Sequence, residues 1–329
     1  MESRQIRSLI TEELISAGIK DCCYYAFLSG AIRGAGELSF NMKGFSLEFR
    51  HLNAAFVNLL AKIINNLYKE NLIVEELKLQ SGYLSGDFFT LYVPIEISKD
   101  LLDKCGIVKD GCEILSDIPS SLIKNTCCKR SYLRGLYLAC GYLKVPEGID
   151  NFSLNSTKGG YQVSLKLNSA LVKNSVKELI IKVAKISAKT VGERKNSNVL
   201  YLKNSDAICN FFTAIGSNKG GLEIYQIITE RKMKNDVNRA NNFDLANIDK
   251  RVAAGEKQIA SIKRLEETVG LDNLPAELQK LAVLRLNNPD LGLVELGQIS
   301  NPPVSKSCIN HRLRKLMELS EKNNDEENQ

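Results

Sequence analysis

CCYYAFLSGAIRGAGEL, Cys22 to Leu38, is answered 105 residues later by CCKRSYLRGLYLACGYL, Cys127 to Leu143. Six of the seventeen positions are identical: both cysteines, a leucine, two glycines and the final leucine. A period this long is not that of a solenoid, whose repeats run to about 20–50 residues. It marks two copies of one half-domain joined in a single chain. Within the first copy Ala26, Gly30 and Gly34 stand four apart, and in the second Ser131, Gly135 and Ala139 do the same. Residues four apart share one helix face, and a strip of small side chains lets two helix backbones come close. Gly30, Gly34, Gly135 and Ala139 are therefore expected to line a two-helix seam on a pseudo-two-fold axis.

Working outward, each copy is followed by the same run of elements. Leu38, Phe40 and Met42 alternate, Lys43-Gly44 turns, and Phe45, Leu47 and Phe49 alternate again, as in a hairpin. Residues 53–69 carry apolar side chains at helical spacing, 72–79 and 88–97 read as strands, and a short helix is expected around 99–105. After the second copy come FSLNSTKGGYQVSLKL, a hairpin turning near Lys158-Gly159-Gly160, then a helix over 171–186. A strand pair at 189–191 and 199–202, joined through Glu193-Arg194-Lys195-Asn196, and a helix over 207–215 complete the second half. Gly216 to Gly221 reads as a break.

Leu28 to Gly36 and Leu133 to Gly141 lie over a nine-letter motif, and the chain resembles the LAGLIDADG homing endonucleases, whose half-domain has this element order. In that family the eighth letter is an acid at the foot of each seam helix, and the two acids hold divalent metal. Here those positions are Ala35 and Cys140. Mg²⁺ wants hard oxygen ligands, and a symmetric two-metal site needs acids from both halves. Glu37 lies just beyond the first motif, but its counterpart is Tyr142. No catalytic residue and no nuclease metal site are expected.

Composition sets bounds. The chain has 329 residues, 44% hydrophobic and 25% charged, ordinary for a soluble globular protein. A net charge of +6 permits nucleic-acid binding without demonstrating it. No apolar run approaches the ~20 residues of a membrane span, and the opening MESRQIRSLITEEL lacks a signal-peptide core. Nine cysteines then read as reduced thiols. Adjacent pairs such as Cys22-Cys23 and Cys127-Cys128 lack zinc-ligand spacing, and His51 and His311 are the only histidines. The cysteines are taken as small buried residues, with no metal and no cofactor.

Two stretches remain. Residues 229–264 are polar and helix-like, with nine Lys/Arg against five Asp/Glu, a surplus of four. A solvated helical linker and a phosphate-tracking segment both fit. In the second reading Arg231, Lys232, Lys234, Arg239, Lys250 and Arg251 are the phosphate contacts. Residues 278–319 then give three short helices, with Asn301-Pro302-Pro303 as the turn between the second and third and Ser305 as a cap, a helix-turn-helix pattern. On the third, Ile309, Leu313 and Leu316 face inward, while Ser307, Asn310, His311 and Arg314 face out, flanked by Lys306, Arg312 and Lys315. Hydrogen-bonding and basic side chains there suit base edges and phosphates. His311 has no Cys, Asp or second His at a spacing that would make it a catalytic or metal residue.

Together the two parts closely resemble the WhiA family of bacterial regulators, over essentially the whole chain. The most specific pieces are Cys127 to Gly135, Asn235 to Arg239 and Ser305 to Lys315. Asn242-Phe243-Asp244 and Lys250-Arg251 depart from the family pattern. The resemblance implies an α+β fold. A pseudo-two-fold LAGLIDADG-like domain of two αββαββα halves, 1–120 and 121–218, comes first. A basic helical linker (219–270), an all-α helix-turn-helix domain (271–320) and a disordered acidic tail (321–329) follow. It also implies a cytoplasmic, nucleoid-associated protein that binds double-stranded DNA without cutting it and acts in transcription control, cell division, chromosome segregation and, in some lineages, sporulation. An adaptor whose former nuclease domain binds a regulatory protein partner is the alternative; an active endonuclease is opposed by Ala35 and Cys140.

Overall fold

The computed structural model describes residues 3–42, 44–81, 84–145, 160–193 and 197–326. They divide into two units, Met1–Glu230 and Arg231–Gln329.

In the first unit, helix α1 (Ser3–Ser16) precedes the first half: α2 (Tyr24–Ala35), β1 (Gly36–Asn41), β2 (Gly44–His51), α3 (Ala54–Tyr68), β3 (Glu75–Ser81), β4 (Leu84–Val93) and α4 (Ile95–Lys104). A two-stranded ribbon, β5 (Val108–Lys109) and β6 (Glu113–Ile114), leads to the second half. That half is α5 (Thr126–Cys140), β7 (Gly141–Lys144), β8 (Gln162–Lys166), α6 (Lys173–Ala184), β9 (Val191–Glu193), β10 (Val199–Leu202) and α7 (Ser205–Ile215). The antiparallel sheets repeat one strand order, β1-β2-β4-β3 and β7-β8-β10-β9. Two sheets of identical topology, each entered from a seam helix, are what a duplicated half-domain produces.

The seam forms where the small residues put it. A Cβ on Gly30 would lie 2.1 Å from the Tyr132 carbonyl oxygen, and one on Gly135 would lie 2.2 Å from that of Phe27. Gly34 abuts the Ala139 methyl. Backbone therefore meets backbone, reciprocally, and Phe27, Leu28, Ala31, Leu133 and Leu136 are fully buried around the crossing. One core runs through both halves, with Leu47, Phe49 and Leu91 from the first sheet and Val163, Leu165 and Leu200 from the second.

Several elements differ from expectation. The second strand of the 88–97 stretch ends at Val93, because Pro94 lacks an N–H and caps α4, so residues 95–97 are helical. Helix α1 was not foreseen; it buries Ile6, Ile10 and Leu14, one turn apart. The glycine break is narrower than expected. Gly216 ends α7 with φ +108°, but α8 (Asn218–Thr268) starts two residues on. Gly220 and Gly221 lie inside α8, where Cβ atoms would strike Ile10 and Thr213, so they serve close packing. Glu13 seats this helix start: its carboxylate accepts the backbone N–H groups of Asn218, Lys219 and Gly220 and the Ser217 hydroxyl. Lys43, the strand expected at 152–155, the Lys158-Gly159 turn and Arg194 to Asn196 lie outside the described residues.

In the second unit, the last turns of α8 join α9 (Ala276–Asn287), α10 (Leu293–Ile299) and α11 (Lys306–Glu326). Ile262, Leu265, Leu278, Leu281, Ala282, Leu296, Ile309, Leu313 and Leu316 form its core. The expected linker thus contributes Ile262 and Leu265 to the helix-turn-helix core, and the first unit takes its opening turns, burying Ile224. The acidic tail is helical as far as Glu326, because α11 continues without a stop signal such as Gly or Pro.

Candidate nucleic-acid interface

The link between α10 and α11 is closed by hydrogen bonds to one carbonyl. The Gly297 oxygen accepts the Val304 N–H at 3.0 Å and the Ser300 hydroxyl at 2.8 Å. A Cβ on Gly297 would stand 2.4 Å from the Val304 oxygen, so only glycine allows this approach. The Ser305 hydroxyl accepts the Cys308 N–H at 3.3 Å, capping α11 at its predicted start. Ile309, Leu313 and Leu316 then point into the core, as the helical wheel requires.

The opposite side of α11 presents Lys306, Ser307, Asn310, His311, Arg314 and Lys315, all exposed. Arg312 differs: its guanidinium pairs with the Glu277 carboxylate of α9 and is half-buried, so it braces the module. Beyond that pair, Lys306, Arg314 and Lys315 stand in the first half of α11, and Lys322 lies farther along it. An amide such as Asn310 can pair with both the N6 and N7 of adenine, and a guanidinium such as Arg314 with the O6 and N7 of guanine. These two stand four residues apart, on adjacent turns of one face.

The basic residues of α8 do not act as one block. Lys232, Lys234, Arg239 and Lys250 are exposed, Arg231 is half-buried, and Arg239 sits 3.8 Å from Asp236. Arg251 lies beside Gly292, at the start of α10. Lys250, about 100° round the helix, points elsewhere. Arg251 is thus placed at the edge of the helix-turn-helix.

At the foot of the seam stand Ala35 and Cys140. Burial pushes the Cys140 thiol up to about 12, and it donates to the Leu136 carbonyl at 3.3 Å. It is a neutral group with its proton engaged. Glu37 lies within 4.0 Å of Arg50 on an exposed strand. A methyl and a neutral thiol do not fit hard divalent cations, so these residues supply no cleavage step.

The two sheets differ in charge on their exposed faces. The first sets Glu37 opposite Glu48, with Arg50 bridging them. The second aligns Tyr142, Ser164 and Tyr201 across three strands, beside Lys144 and Lys166. Lys203 lies over the Tyr201 ring at 4.7 Å and Arg7 over Tyr142 at 5.4 Å. Among the described residues, the second face carries the surplus of positive charge.

One cluster was missed by sequence reading. Cys22, Cys23, Cys127 and Cys128 come together with their Sγ atoms all within 4.8 Å of one another. Cys22 is exposed and Cys127 half-buried, so the picture of uniformly buried thiols does not hold. Neither pair alone has a ligand spacing. The repeat is the signal, since a pseudo-two-fold seam must bring matched positions at its helix starts together.

Comparison with known proteins agrees with this architecture. The WhiA LAGLIDADG-like domain matches residues 24–84 and 129–234, and the WhiA C-terminal HTH domain matches residues 237–320. A probable cell division protein WhiA from Bacillus cytotoxicus is 35% identical over 312 residues, 94% of each chain. One from Anoxybacillus flavithermus is 33% identical, covering 98% of this chain and 96% of its own. The crystal structure of full-length DUF199/WhiA from Thermatoga maritima superposes with a TM-score of 0.52 at 25% identity, covering 95% of this chain and 96% of that one.

Proposed function

The chain belongs to the WhiA family, and from that premise we propose that it is a non-catalytic, sequence-specific DNA-binding regulator of transcription that acts in cell division. Chromosome segregation and, in some lineages, sporulation belong to the same proposal, as does a place on the nucleoid. The observation that carries it is the outer face of α11, where Ser307, Asn310, His311 and Arg314 are exposed between Lys306 and Lys315. Three exposed cations attract the phosphate backbone, which supplies affinity without sequence information. Asn310 and Arg314 supply the base contacts. The packing of Ile309, Leu313 and Leu316 fixes the rotation of α11 and so the direction in which these groups point.

The LAGLIDADG-like unit is retained as a scaffold. Its seam and sheets persist, while the positions that would hold metal carry Ala35 and Cys140. Mapping bound sites across the genome in cells tests the proposal. Discrete sites sharing a motif near promoters support it; binding spread without sequence preference counts against it. A second reading, a protein partner for the former nuclease domain, is favoured by the exposed Phe40 and Met42 at the end of the β1–β2 hairpin. It is compatible with the first and is separated from it by co-purification with a variant altered only at those two residues.

A further inference from the structure

We propose that Cys22, Cys23, Cys127 and Cys128 form a four-thiolate site for a single zinc ion, which pins the two halves of the first unit together at the start of the seam. The distances carry the argument. Cys22 Sγ lies 3.6 Å from Cys23 Sγ and 3.9 Å from Cys127 Sγ, and Cys23 Sγ lies 3.8 Å from Cys128 Sγ. A tetrahedral zinc with bonds of about 2.3 Å sets its sulfurs roughly 3.8 Å apart. Three of the six sulfur–sulfur distances match that spacing and all lie within 4.8 Å, so small side-chain movements close the four sulfurs around one ion. An iron–sulfur cluster holds its cysteines farther apart, and a disulfide needs its sulfurs at about 2 Å.

Position agrees. Cys127 and Cys128 occupy the first turn of α5, and Cys22 and Cys23 the short turn that leads into α2. Binding would release four protons and leave a centre of net charge −2. Packing does not explain the quartet, because Cys22 is exposed. The site lies at the opposite end of α2 and α5 from Ala35 and Cys140, takes soft ligands rather than carboxylates, and contributes cohesion rather than cleavage.

The test uses the reduced full-length chain equilibrated with zinc and passed over a desalting column. One zinc per chain is expected. Cobalt in its place should give the visible bands of tetrahedral thiolate coordination and a thiolate-to-cobalt charge-transfer band in the near ultraviolet. Cys22→Ser with Cys127→Ser, at the two more accessible positions, should abolish stoichiometric zinc. Its effect should exceed the roughly 10–100-fold loss that follows removal of an outer-shell partner. Cys112→Ser, exposed and outside the cluster, should bind zinc as the parent does. Circular dichroism of the apo double variant checks that it folds. Should it not, the cobalt spectrum of the parent decides alone. No zinc on the reduced parent, a cobalt spectrum without thiolate bands, or undiminished zinc on a folded double variant would each overturn the proposal.

Discussion

Replacing Gly30 by alanine adds one methyl group, and the seam gives it no room. The new Cβ would sit 2.1 Å from the Tyr132 carbonyl oxygen and 2.9 Å from the Leu136 nitrogen, both backbone atoms that cannot rotate aside. Carbon-to-carbonyl contacts settle at roughly 3.3–3.6 Å, so α2 and α5 must part by about 1 Å. A gap of 0.5–1 Å forfeits about a quarter to a half of each van der Waals contact it opens. Phe27, Leu28, Ala31, Leu133 and Leu136 would all lose contacts. Overpacking usually costs about 1–3 kcal/mol, and backbone meeting backbone places this case near ~3 kcal/mol. For a unit of 230 residues that corresponds to a fall in Tm of roughly 6–12 °C. Gly135→Ala, 2.2 Å from the Phe27 oxygen, should cost as much. The pair should cost less than the sum, since one parting of the helices accommodates both. Gly18→Ala is the control, with nothing within 4 Å of its Cβ. Thermal or urea unfolding measures the four variants against the parent. A Gly30→Ala protein as stable as its parent, or strict additivity in the double variant, refutes the backbone-contact seam.

Three further outcomes are expected. Burial acts to raise the Glu13 carboxyl, but hydrogen bonds from Lys219, Gly220, Ser217 and Asn218 hold it below the ordinary range. Its stabilising effect is therefore full above the pKa it has when unfolded and fades as pH falls through its folded value. Glu13→Gln should cost about 1 kcal/mol at neutral pH and flatten the acid side of a stability–pH curve, measured by urea midpoints. Gly297→Ala drives a methyl to 2.4 Å from the Val304 oxygen; a loss of ~1–3 kcal/mol from the second unit and weakened DNA binding should follow, read by calorimetry and duplex titration. Supercoiled plasmid incubated with Mg²⁺ or Mn²⁺ should stay uncut, and site-specific double-strand breaks would contradict the reading of Ala35 and Cys140.

What was legible in the sequence was what local spacing encodes. Gly30, Gly34 and Gly135 announced the seam because only small residues four apart permit such contact. The Pro302-Pro303 turn and the Ser305 cap announced α11, and the apolar spacing of Ile309, Leu313 and Leu316 gave its rotation. What was missed depended on tertiary partners. Gly220 and Gly221 looked like a break, yet they are small because Ile10 and Thr213 press on them. Arg312 looked like a phosphate contact until Glu277 was found beside it. The cysteine quartet escaped because ligand spacing is judged within one segment, whereas here each half supplies two adjacent sulfurs and the seam supplies the geometry.

The central claim is that α11 reads sequence. The most direct measurement titrates a specific and a scrambled duplex with the parent chain, Asn310→Ala and Arg314→Ala at several salt concentrations. Each lost base contact should reduce the specific-to-scrambled ratio by the equivalent of about 1–3 kcal/mol, roughly 5- to 150-fold, while binding to the scrambled duplex changes much less. A ratio unchanged in both variants would contradict the account and move the readout to another surface, with the Lys144 and Lys166 face of the second sheet the first to test.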